Sequence, residues 1–158
     1  VSNLMKCREA EKLMQEIDVA IKDIKGFQIS DLQQKSYLAK FLVVFICGIY
    51  EEAIELIINE RASRSKDSEV VSYIKTSIDH SFRNPSMNNI KGLLGKFNDS
   101  WRSKMEGVSQ GAQTAIDNIV NNKNSLAHGV PINLTLDDVV KYYQESIEVI
   151  NKIDDLAL

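Results

Sequence analysis

The seven-residue run Phe41-Leu-Val-Val-Phe-Ile-Cys47 constrains the fold most, because as a helix it would have no polar face. Such a helix is stable only when neighbours or lipid surround it. The run is far short of the ~20 residues that cross a bilayer, and Glu51 and Glu52 follow soon after. Helical spacing extends on both sides, through Leu38 and through Ile54, Ile57 and Ile58, which argues against a buried strand. The segment from after Ser30 to about Ser63 is therefore expected to be the central helix of a bundle, enclosed by the others.

The rest of the chain supplies those neighbours. Only two prolines and seven glycines occur in 158 residues, so little chain is given to turns. Leu4, Cys7, Leu13, Met14, Ile17, Ile21 and Ile24 recur on one helical face, which Gly26 closes. Asp67 is a natural cap for a third helix carrying Val70, Val71, Ile74, Ile78 and Phe82. Pro85 then breaks the pattern, and Ser86 caps a short helix with Ile90, Leu93, Leu94 and Phe97. Trp101 falls in a less regular connection leading to Gly111. Ala112, Ala115, Ile116, Ile119, Val120, Leu126 and Ala127 mark a further helix that stops at Gly129 and Pro131. Thr135 opens the last one, with Asp137 and Asp138 in its first turn. The expectation is an all-α bundle of four to five main helices plus a short one, in a single domain over residues 1–158.

Several function classes drop out. A net charge of −3 argues against a broad basic face for duplex DNA, leaving room for a local basic cleft. Cys7 and Cys47 are too few for a disulfide framework and read as buried reduced thiols. The first ten residues carry Lys6, Arg8 and Glu9, unlike a signal peptide. A cytoplasmic protein without membrane attachment is expected. Gly-rich phosphate loops, Cys-x-x-Cys and His-Glu-x-x-His are absent, and His80 and His128 alone do not make a metal site. No cofactor or metal is called for, and His80 reads as an ordinary polar residue near a helix end.

His128 is placed differently. It stands at the end of a helix just before Gly129, where unpaired carbonyls favour an imidazolium. Asn124 lies nearly on the same helical face. Lys123 continues the row Ala112, Ile116, Ile119, so it points into the apolar stripe and must snorkel out, pair with an acid or line an interface. These three are the candidate site residues.

The segment Ile119-Val-Asn-Asn-Lys-Asn-Ser-Leu-Ala-His-Gly129 resembles the signature of HEPN domains, Arg-Asn-x-Ile/Leu-Ala-His-Gly, with Lys123 standing in for the arginine. The apolar central helix with Tyr50-Glu51, the Phe82-Arg-Asn-Pro85 stretch and the Thr135-initiated helix are similar to the RiboL-PSP and MAE branches of that superfamily. The resemblance implies a helical domain that dimerises and brings two motifs into one cleft. It also implies a metal-independent endoribonuclease of a bacterial defence or toxin system, with RNA as substrate and an antitoxin or defence protein as a further partner. On that likeness His128 is the acid/base, Asn124 the orienting group and Lys123 the phosphate contact. Lys123 and His128 are ~140° apart on an ideal helix, which suits a site built from two chains.

The lysine keeps the charge but loses the planar fork that grips a phosphate. It therefore also admits a non-catalytic module that binds a partner protein or RNA. Glu51 or Glu52 is a candidate partner for Lys123, against the plainer reading of a solvated face. Arg83, Lys91, Lys96, Arg102 and Lys104 gather positive charge that could follow an RNA backbone or simply balance the surface.

Overall fold

Side-chain caps fix most of the helix starts in the computed structural model, which describes residues 4–158. Val1, Ser2 and Asn3, part of the charged N-terminal stretch, lie outside the described residues. The elements are α1 (Arg8–Gly26), α2 (Leu32–Ala62), α3 (Ser68–Ser81), α4 (Met87–Phe97), α5 (Asp99–Lys104), a 3₁₀ turn (Met105–Gly107), α6 (Gln110–Ala127) and α7 (Leu136–Ala157). No strand occurs among the described residues. Asp31 accepts from the Gln34 N–H, Asp67 from Glu69 and Val70, Ser86 from Asn89, and Ser109 from Ala112. Thr135 and Asp138 form a reciprocal capping box at the start of α7. Each such cap stabilises its helix by about 1 kcal/mol.

The start of α1 is held differently. Cys7 occupies the cap position without a side-chain bond. Instead Asp154 of α7, only 2% exposed, accepts the Lys6 N–H at 2.6 Å and the Cys7 N–H at 2.9 Å. Leu4, expected on the inner face of this helix, lies before it and is 69% exposed. The apolar period runs on past the point where the backbone leaves the helix.

Helix α2 packs against α1, α3, α6 and α7 and carries the centre of the core. The fully buried Tyr50 shares a 2.7 Å hydrogen bond with Ser146, and burial pushes its phenol well above the ordinary range. Arg64 near the end of α2 donates to the Leu158 carbonyl, so α7 runs parallel to α2 along its length. Helix α6 returns antiparallel to both.

Two expectations about enclosure and order fail. The Phe41–Cys47 run is not covered all round: Phe41 is 55% and Val44 44% exposed, with Phe41 stacked on Phe45 at 5.7 Å. The missing polar face showed that something should cover this side, but no element among the described residues does. Trp101 is not in an irregular connection either. Asn98 caps the short α5 through the Ser100 N–H, and the Trp101 ring stacks on Phe97 with Arg61 over it at 5.5 Å.

Candidate functional site

The end of α6 is a Schellman motif. The Val130 N–H reaches the Ser125 carbonyl at 2.8 Å, the Gly129 N–H reaches Leu126 at 3.2 Å, and Gly129 takes φ +68°. Glycine is needed there because a side chain would strain that backbone. This termination fixes His128 as the C-cap residue, directly after the last helical residue Ala127, with its N–H on the Asn124 carbonyl at 3.1 Å. The His128 side chain is exposed, and neither it nor the half-buried Asn124 side chain hydrogen-bonds within the described residues. Both are free to meet a ligand.

Lys123 is half-buried, as its place on the apolar row predicts. Its ammonium donates to the Asn84 Oδ1 at 2.8 Å. It does not pair directly with Glu51 or Glu52, the two candidate acids weighed against a plain solvated face. Glu51 instead accepts the Asn84 backbone N–H at 3.0 Å and faces the Arg83 guanidinium at 3.6 Å. Asparagine 84 therefore stands between the lysine and the acid. The Lys123 charge also reaches Cys47 on α2, although burial dominates and pushes that thiol up to about 11. Cys7 is likewise raised to about 11, first by burial, so both cysteines are neutral thiols at physiological pH.

Asn84 is the functional candidate that sequence reasoning missed. It takes φ +55°, the only positive value at a non-glycine residue described, immediately before Pro85. Residues before proline ordinarily prefer extended backbone, and asparagine enters the left-handed region at a cost of ~1 kcal/mol. Four bonds hold it there: the two just given, plus its carbonyl accepting from Ser86 at 2.7 Å and from the Asn89 amide at 2.8 Å. An Asn-Pro pair between helices was a visible signal of a special turn. Its link to Lys123, 39 residues away, was not. Asn84→Gly should keep the turn at near-normal stability while releasing Lys123, whereas Asn84→Ala should lose about 1–2 kcal/mol, as read by urea unfolding.

The surrounding charges divide. Arg83 is tied to Glu55 at 3.1 Å as well as to Glu51; burial raises the Glu55 carboxyl, with Arg83 pulling it back. Lys91 pairs with Glu106 at 2.8 Å. Lys96 and Arg102 have no carboxylate partner among the described residues. With Arg83, Asn88 and Asn89 they line an open cavity of about 310 Å³. The Arg102 stem lies across Gly95, where a methyl would come within 3.3 Å of its Cδ. The amide of Asn84 and this cavity flank the same short loop, Phe82–Asn84.

The RiboL-PSP-HEPN family model matches residues 7–158, and the chain belongs to that family. No curated protein and no solved structure shows a significant match. Among the described residues, no helix is long and apolar enough to cross a membrane.

Proposed function

We propose that this chain is an endoribonuclease that cuts RNA without a metal ion, at a site completed by a second copy, in a bacterial defence or toxin setting. HEPN domains typically dimerise and bind RNA, which supports the substrate and the assembly. One observation carries the reading: a fixed, half-buried cation at Lys123 stands five residues before an exposed imidazole that makes no hydrogen bond among the described residues.

The chemistry is transesterification. A base removes the proton from the ribose 2′-hydroxyl, O2′ bonds to phosphorus, and the P–O5′ bond breaks as the leaving oxygen takes up a proton. His128 moves the proton, Lys123 stabilises charge on the phosphoryl oxygens, and Asn124 orients the phosphate or the ring. Products carry 2′,3′-cyclic phosphate and 5′-hydroxyl ends, and DNA of the same sequence is not cut. Incubation of a mixed RNA pool in EDTA with the parent and with His128→Ala tests this. Cleavage confined to the parent supports it. A folded, silent parent removes it.

Lys123 favours a second reading, a non-catalytic module that holds RNA or a partner protein, because lysine lacks the bidentate fork of the family's arginine. An active Lys123→Arg beside a silent parent would select this alternative. Under either reading the Lys96–Arg102 cavity should guide the strand. Lys96→Ala/Arg102→Ala is expected to weaken single-stranded RNA binding about tenfold and to reduce the salt slope by ~1–2, measured by fluorescence anisotropy.

A further inference from the structure

The exposed side of α2 is an unpartnered apolar stripe in the middle of the longest helix. Tyr37, Phe41, Val44 and Gly48 follow one another at spacings of four, three and four residues, and all are exposed. A glycine inside a helix costs about 1 kcal/mol relative to alanine. Among the described residues nothing lies within 4 Å of where a Gly48 Cβ would stand, so no contact there requires the glycine. A flat spot beside Val44 suits a backbone that arrives from outside.

The charges along the stripe indicate what arrives. Lys40 lies toward one end, and the exposed Glu52 lies at the other, beside Glu51 and Glu55, which share the Arg83 guanidinium. A second copy laid parallel would put acid on acid and lysine on lysine. Laid antiparallel, it brings Lys40 over the acidic end and seats Val44 against Gly48, about a two-fold axis near Ile46. We infer that α2 pairs with α2 of a second copy in this antiparallel register, and that this seam assembles the proposed composite site.

The placement of the motif helix follows from the same symmetry. Phe45 and α1 border one edge of the stripe; Cys47, Glu51 and α6 border the other. A two-fold axis perpendicular to paired antiparallel helices sets each edge beside its own counterpart. Both α6 helices therefore flank one groove instead of lying on opposite sides of the dimer. Lys123, beside Cys47, sits near the level of the axis, and His128 lies ~7.5 Å further along α6. The inference rests on the nuclease reading only for what the groove does, not for the seam itself.

Sedimentation of the full chain and its variants tests the seam. The parent should run at twice its 17.8 kDa mass. Phe41→Glu/Val44→Glu should run as the monomer with an unchanged helical spectrum, while Tyr73→Glu, at a still more exposed aromatic residue on α3, should stay dimeric. Mixed Val44→Cys and Gly48→Cys proteins should cross-link with each other faster than either does with itself. A monomeric parent, a dimer that survives the double substitution, or dominant self-cross-linking would overturn the proposal. A dimer that survives it and still cuts RNA only with His128 intact would remove the seam and leave the nuclease reading standing.

Discussion

His128→Ala is expected to lower RNA cleavage in EDTA by about a thousandfold, within the range that a positioned proton-transfer group supplies. Stability should change by less than ~0.5 kcal/mol, as for other surface replacements. The separation of the two effects follows from position. The imidazole is exposed at the end of α6, its side chain hydrogen-bonds to nothing among the described residues, and Gly129 rather than His128 carries the unusual backbone. Lys123→Ala is not so clean, because it also strips a partner from the Asn84 Oδ1. Cleavage assayed beside a thermal melt distinguishes them. A His128→Ala protein that is equally stable and equally active would take the histidine out of the chemistry.

Asp154→Ala should be the most destabilising single change near the surface of the bundle, at about 3 kcal/mol. Two backbone N–H groups at the entry to α1 would lose their acceptor, and one of them, Cys7, is buried. For a chain of this size that loss lowers the melting temperature by roughly 6–12 °C. Asp154→Asn, which keeps an acceptor oxygen, should cost about half as much. The neighbouring Asp155 is the control. Its carboxylate meets Lys6 at 3.7 Å and is 60% exposed, and its backbone bond to Lys6 survives truncation, so Asp155→Ala should stay within ~0.5 kcal/mol of the parent. Equal effects at the two positions would refute the trans cap.

These adjacent aspartates show where reading the sequence ends. In Asp154-Asp155 both look like solvated acids near a helix end, and only the packing of α7 on α1 tells them apart. Local signals did better. Asp67, Ser86 and Thr135 were readable as caps because their bonds reach only two or three residues along the chain. Gly129 with Pro131 was readable as a stop for the same reason. Lys123 was readable as misplaced, since its row on α6 is apolar, but its partner was not: Glu51 and Glu52 were the candidate acids, and Asn84 stands between Lys123 and Glu51. The stripe on α2 is the reverse case. The pattern from Phe41 to Cys47 demanded cover on every side, and the described residues leave one side bare.

The central claim, a site shared by two chains, is tested most directly by mixing two inactive proteins. His128→Ala and Lys123→Ala, combined under conditions that let subunits exchange, are assayed on RNA in EDTA beside the parent. If His128 of one copy works with Lys123 of the other, each mixed dimer regains one intact site, and the mixture recovers about a quarter of parental activity. A mixture as silent as its components, beside an active parent, would contradict the account.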